Sequence, residues 1–138
     1  MPFGSSADSL NDEILAIAQQ SYKAIPAELR RFADDIVIVI QDFPDHETLY
    51  RMNCDTQWDL LGLYHGLAVG QKSVSDIAPT PDRIFLYAQP IAAFADHTGD
   101  SLGDVVQHVL IHEIGHHFGL SDDDMDRIEA AANRNSSS

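Results

Sequence analysis

The chain reads as a single α+β domain in which a small mixed β-sheet packs against helices, one of them carrying the chemistry. Three observations lead there. Short β-branched and aromatic runs, Ile36 to Ile40, Leu60 to Tyr64 and Arg83 to Tyr87, follow one another in mid-chain, with the main helical stretches before and after them. A long apolar helix, opened at Ser101, runs through His112-Glu113-Ile114-Gly115-His116 near the C-terminal end. At 138 residues with a hydrophobic fraction of 44%, the chain can bury one core but not two, so residues 1–138 are taken as one domain.

In chain order, Ser9 followed by Asp12 is a helix-start signature. Leu10, Ile14, Ile17, Ala18 and Ile25 then recur at helical spacing as far as Pro26. A second short helix is expected over Pro26 to Ala33, with proline in its permitted first turn. Ile36 to Ile40 is continuous and β-branched, which predicts a strand covered on both faces. After the Phe43-Pro44-Asp45 turn, His46 to Met52 suits one or two helical turns. Leu60 to Tyr64 and Arg83 to Tyr87 are the further strands, separated by a loop rich in Gly, Ser and Pro from Gly66 to Asp82. Ile91 to Ala95 gives a brief apolar helical turn. Ser101 with Asp104 caps the long helix, on which Leu102, Val105, Val106, Val109, Leu110, Ile114 and Phe118 spread around much of the surface, so it belongs in the centre of the domain. Ser121 with Asp124 opens a last helix to about Ala132, and Asn133 to Ser138 read as a polar, frayed tail.

Composition narrows the function. A formal charge of −14 with only eight basic residues argues against nucleic acid, whose binding draws on clustered Lys and Arg, and against anionic membranes. The plain role of the charge is solubility. Cys54 stands alone, so an internal disulfide is excluded, and nothing near it in sequence activates a thiol. The N-terminus lacks a basic start and an apolar signal core, and no stretch approaches the roughly 18–20 apolar residues that span a bilayer. A reduced, cytoplasmic compartment is the expectation.

The chemistry lies in H-E-x-x-H. Residues four apart on a helix share a face, so the imidazoles of His112 and His116 converge on one ion. Glu113 is offset by about 100° from His112, which sets its carboxylate beside the ion, free to act on a water without being a ligand. Gly119 can take the left-handed conformation that ends a helix, returning Asp122 as the third protein ligand. Two imidazoles and one carboxylate leave a fourth tetrahedral position open, as in catalytic Zn²⁺ sites. Each residue also has a plainer reading. Glu113 could be a helix-surface carboxylate. Asp122, Asp123 and Asp124 could serve only the helix N-terminus, a gain of ~0.3–1 kcal/mol each, in which case Asp126 or Glu129 would supply the ligand. His117 points about 100° away from His116 and reads as a neighbouring or surface residue. His108, a turn before His112, is too far back to bind the same ion and reads as a packed histidine. For His65 and Tyr87, donors to a developing oxyanion are conceivable, with packing the simpler role.

With these residues in place, the chain resembles the zincin metallopeptidases, and within them the small bacterial zincin-like family described as minimal zincins. The matching stretches are Asp34 to Pro44, Leu60 to Gly66, Pro81 to Ile91 and His112 to Met125, in that order. The resemblance implies a compact zincin-like α/β domain with a zinc site, hydrolysis of peptide bonds, and a peptide or protein substrate lying extended along the strand before the active helix, for which Arg83 to Tyr87 is the candidate. The pattern H-E-x-x-H-x-x-G-x-x-D also resembles metzincin sites with aspartate as third ligand. The departure is Met125, which follows Asp122 too closely for the methionine turn of those proteins and reads as an apolar residue of the last helix. Three other functions compete. A small three-histidine metal-dependent ribonuclease lacks the equivalents of Glu113 and Asp122 and needs a polyanion-binding surface. A zincin-like domain keeping metal only for stability or interaction would close all four positions, commonly with cysteine, and only Cys54 exists. A small-molecule amidohydrolase shares the motif.

Overall fold

The computed structural model describes residues 6–30, 36–66 and 82–136. The loop expected from Gly66 to Asp82 and the end of the second helix fall mostly outside them. Six helices and three strands follow in the order α1 (Ser6–Ala24), α2 (Ala27–Arg30), β1 (Val37–Gln41), α3 (His46–Arg51), β2 (Gly62–His65), β3 (Arg83–Tyr87), α4 (Ala88–Thr98), α5 (Leu102–His117) and α6 (Asp122–Ser136). The α+β class holds, with a mixed sheet of order β1-β3-β2. β1 runs parallel to β3, Ile38 opposite Ile84, and β2 runs antiparallel to it, Tyr64 opposite Ile84.

α5 is the spine. Val106, Leu110, Ile111 and Ile114 are fully buried, and the helix packs on α1, α4, α6, β2 and β3. Its apolar surface goes much of the way round, so it finds partners on several sides and leaves Asp104, His108 and His116 exposed. Ser101 Oγ accepts the Asp104 N–H at 3.0 Å, the cap expected from the sequence. The strands present Ile84 and Leu86 to the helices, both fully buried, with Ile38 and Ile40 beside them. Gly62 is where α5 crosses closest to the sheet, since a Cβ there would lie 2.6 Å from Val109 Cγ1.

Several boundaries differ from the sequence reading. α1 begins at Ser6, so Ser9 lies inside the helix and not at its cap; a cap is worth ~1 kcal/mol and yields to the apolar stripe of Ile14 and Ala18. β1 lies at the sheet edge and is not covered on both faces: none of its residues is fully buried and Val37 is 44% exposed, with α1 packed against it. α4 is a full helix, not a brief turn: Pro90 sits in its first turn, where the missing N–H costs nothing, and Gly99 ends it at φ 81°. α6 continues through residues 133–136, which the sequence reading assigned to a frayed tail. No helix among the described residues is long and apolar enough to cross a membrane.

Candidate metal centre

The end of α5 is a locally determined turn. Gly119 has φ 77° and donates to the His116 carbonyl at 3.2 Å, while Leu120 N–H reaches back to the Gly115 carbonyl at 2.9 Å. This paired closure by a left-handed glycine is the role expected of Gly119. Ser121 Oγ then accepts the Asp124 N–H at 3.1 Å and starts α6. α6 folds back on α5 with Met125, Ile128 and Ala132 buried. Gly115 sits beneath Met125, so close that a Cβ would lie 2.4 Å from its sulfur. Met125 is thus an apolar residue of the last helix, as its spacing from Asp122 implied.

This hairpin fixes the polar side chains of α5. His112 Nε2 is buried and has no hydrogen-bond partner. Its pKa is lowered, first by burial and then by the neighbouring His108, so the neutral ring with a free lone pair is favoured. The carboxylates acting on it are those of Glu129 and Asp126 on α6. Glu129 Oε1 comes within 3.7 Å of His112 Nε2. His116, one turn on, is exposed, its ring edge-on to His112 with centroids 5.8 Å apart. Asp122 is the exposed first residue of α6. Among the described residues, the set of three metal-ligating groups whose donor atoms lie within 4.8 Å of one another is His108, His112 and Glu129; neither His116 nor Asp122 is in it. His108 is not the packed histidine expected from the sequence. Its side chain is 54% exposed and its Nδ1 lies 3.0 and 3.1 Å from the two oxygens of Glu129.

Glu113 leaves α5 on another side, toward the sheet. Its Oε1 accepts the backbone N–H of Tyr64 at 3.1 Å. Burial raises its pKa, against the opposing pull of the Tyr64 N–H and of His116 nearby. That hydrogen bond also defines the strand edge. Tyr87 N–H donates to the Leu61 carbonyl at 2.9 Å, so in the antiparallel pair Leu61, Leu63 and His65 turn their backbone groups toward β3. Gly62 and Tyr64 turn theirs outward, and among the described residues no strand lies beyond them. The strand expected to accept a substrate, Arg83 to Tyr87, is instead the central one, paired on both sides. β2 is the edge beside Glu113.

Tyr64 itself is held firmly. Its ring stacks on His117 with centroids 3.9 Å apart, and its hydroxyl donates to Asp82 Oδ2 at 2.6 Å. Burial and that carboxylate push the phenol well above its ordinary range. His117 is therefore a buttress for the edge strand. Tyr87 is packed, 2% exposed, with its pKa pushed up to about 12 by burial first. His65 is exposed and lies flat over Phe85 at 6.3 Å. The role of Tyr64 left no trace in the sequence because it belongs to a backbone N–H, which every residue but proline carries.

A metal fits these donors. Two imidazoles one turn apart, nearby carboxylates and a buried imidazole nitrogen lacking any partner are what a divalent ion of borderline softness requires. No curated protein matches the chain. The zincin-like metallopeptidase family matches residues 33–132, which takes in the sheet, the long helix with its H-E-x-x-H residues, and most of α6. The chain belongs to the zincin-like metallopeptidases, a family of metal-dependent peptidases.

Proposed function

We propose that the protein hydrolyses peptide bonds, with Zn²⁺ held by His112, His116 and Asp122 and with Glu113 as the general base. The observation that carries this reading is the position of Glu113: partly buried, next to His112 along α5, and hydrogen-bonded to the outward backbone of the edge strand. When bound, the metal supplies Lewis-acid polarisation of the scissile carbonyl and of the attacking water. The chain does the rest. An extended peptide adds to the outer edge of β2, where the Gly62 backbone and the Tyr64 carbonyl face away from β3, and this lays its backbone alongside Glu113, which holds the Tyr64 N–H. The Tyr64 N–H keeps Oε1 of Glu113 in place, leaving Oε2 to take the proton of the attacking water and deliver it to the leaving amine. A carboxyl whose pKa is raised by burial holds such a proton more readily than an exposed one. The acidic surface suits a peptide substrate in place of a polyanion.

The test is Glu113→Gln assayed for both zinc content and cleavage of a diverse peptide library. Glutamine keeps an oxygen for the Tyr64 N–H but cannot accept the proton. The variant is expected to retain zinc at the parent's level and to lose cleavage by ~10² fold or more. Parental activity in this variant would remove Glu113 from the mechanism, and loss of zinc would make it a ligand.

A further inference from the structure

α5 carries three histidines at successive turns, His108, His112 and His116, and the H-E-x-x-H pattern uses only the last two. We propose that His108, His112 and Glu129 form a second position for a divalent metal ion, which shares His112 with the H-E-x-x-H position and so competes with it for one ion. The sharing rests on the reading under Proposed function; the second position does not.

The geometry supports it from three directions. His108 and His112 lie on one face of α5, with rings 3.9 Å apart and nearly parallel. Glu129 faces both from α6, its two oxygens at 3.1 and 3.0 Å from His108 Nδ1 and one of them 3.7 Å from His112 Nε2. All three donor atoms fall within 4.8 Å of one another. Ligand atoms around tetrahedral zinc, at about 2.0–2.2 Å from the ion, stand about 3.4 Å apart, so only a small contraction is needed. His112 Nε2 is buried and has no hydrogen-bond partner, although a carboxylate lies just beyond bonding distance. The half-exposed His108 opens the position to solvent.

The two positions exclude each other. His108 and His116 are eight residues apart, about 12 Å along the helix axis, too far to reach one ion. His112 has a single Nε2 lone pair to give. An ion beside His116 is near Glu113, whereas one beside His108 and Glu129 is a turn back, on the α6 side, while Glu113 points to β2. The second position therefore binds metal without a general base. It holds an ion in a state that cannot hydrolyse.

The experiment is a competition titration of the full chain against a chromophoric chelator, with Zn²⁺ alone as the ligand and Co²⁺ absorption as a second readout. The variants are His116→Ala, His108→Ala, Glu129→Gln and the pairs His116→Ala/His108→Ala and His116→Ala/Glu129→Gln, each checked for folding by circular dichroism in chelator. His116→Ala is expected to bind one zinc per chain, and either second substitution to weaken that binding by ~10-fold or more. His108→Ala alone is expected to keep one zinc, with a changed Co²⁺ spectrum. A folded His116→Ala protein that binds no zinc, or binds it indifferently to His108 and Glu129, overturns the second position. Two zinc ions per parent chain overturn the sharing. If His108→Ala alone loses zinc while His116→Ala does not, the second position stands as the chain's metal site, and it is the H-E-x-x-H reading that fails.

Discussion

Replacing Gly115 by alanine tests how tightly the metal-bearing helix is held by α6. In a helix interior this substitution normally stabilises by up to ~1 kcal/mol, since alanine loses less backbone entropy than glycine. Here the new Cβ would stand 2.4 Å from Met125 Sδ and 2.7 Å from its Cγ. Cγ is one bond from the Met125 Cβ, so relief requires a new rotamer or a shift of α6, and Met125 has no exposed surface to move into. Overpacking of this kind costs ~1–3 kcal/mol, which outweighs the propensity gain. Gly103→Ala is the internal control: it lies on the same helix, and the nearest atom to a Cβ there is Ser101 Oγ at 3.8 Å. Urea midpoints measured in chelator should place Gly115→Ala below the parent and Gly103→Ala at or above it, ~1–3 kcal/mol apart. In a Met125→Ala background, Gly115→Ala should become neutral or stabilising, because the obstructing atoms are gone. Equal stabilisation by both alanines in the parent would refute the close contact between α5 and α6.

Glu113→Gln has a second consequence, on stability. A carboxyl whose folded pKa is raised binds protons better folded than unfolded, so its cost is absent below the ordinary carboxylate range and grows as pH rises through it. Metal-free Glu113→Gln should therefore melt above the parent at pH 7, with the gap closing at pH 4; a constant gap would deny the burial effect. Tyr64→Phe keeps the stack on His117 but loses the 2.6 Å bond to Asp82, and should lower stability by ~1–2 kcal/mol in thermal or urea melts; an unchanged midpoint would remove the hydroxyl from the account of the edge strand. In a Glu129→Gln background, which silences the second metal position, Asp122→Ala should weaken zinc binding by more than ~10-fold. Asp123→Ala, acting only through the helix N-terminus at ~0.3–1 kcal/mol, should stay within about fivefold; equal effects would move the third ligand off Asp122.

Features settled by near neighbours in the chain were legible in the sequence. The caps at Ser101 and Ser121, the left-handed turn at Gly119 and the strand Arg83 to Tyr87 are each decided within a few residues. The centrality of α5 was legible too, because apolar residues spread around much of a helix need partners on several sides. Strand order was not. The sequence shows that Arg83 to Tyr87 is apolar enough to be buried, but whether it is the edge or the centre depends on the pairing of Val37 to Gln41 and of Gly62 to His65 with it. Nor was the carboxylate that meets His112. Asp122, Asp126 and Glu129 lie within two turns of one helix, and a modest rotation of α6 about its axis decides which of them faces α5. That rotation is set by Met125, Ile128 and Ala132 burying themselves, and burying them leaves Glu129 toward the histidines.

The most buried helix of the domain is thus also the one asked to carry its polar chemistry, and the two demands pull against each other. An unpartnered imidazole nitrogen such as His112 Nε2 costs ~1–3 kcal/mol, and the raised pKa of Glu113 shows that its charge is also held at a cost. The packing that imposes these costs makes the positions reproducible: a side chain on a helix locked between α1, α4, α6 and the sheet cannot drift by an ångström, as one on a loop would. A divalent cation reverses both costs at once, giving the nitrogen a partner and the carboxylate an opposite charge nearby. The chain's excess of negative charge favours the arrival of that cation. The cost of the unpartnered His112 nitrogen and its affinity for metal have the same origin, so substitutions that make this domain more stable without metal by removing that nitrogen or giving it a partner should be the ones that bind metal least well.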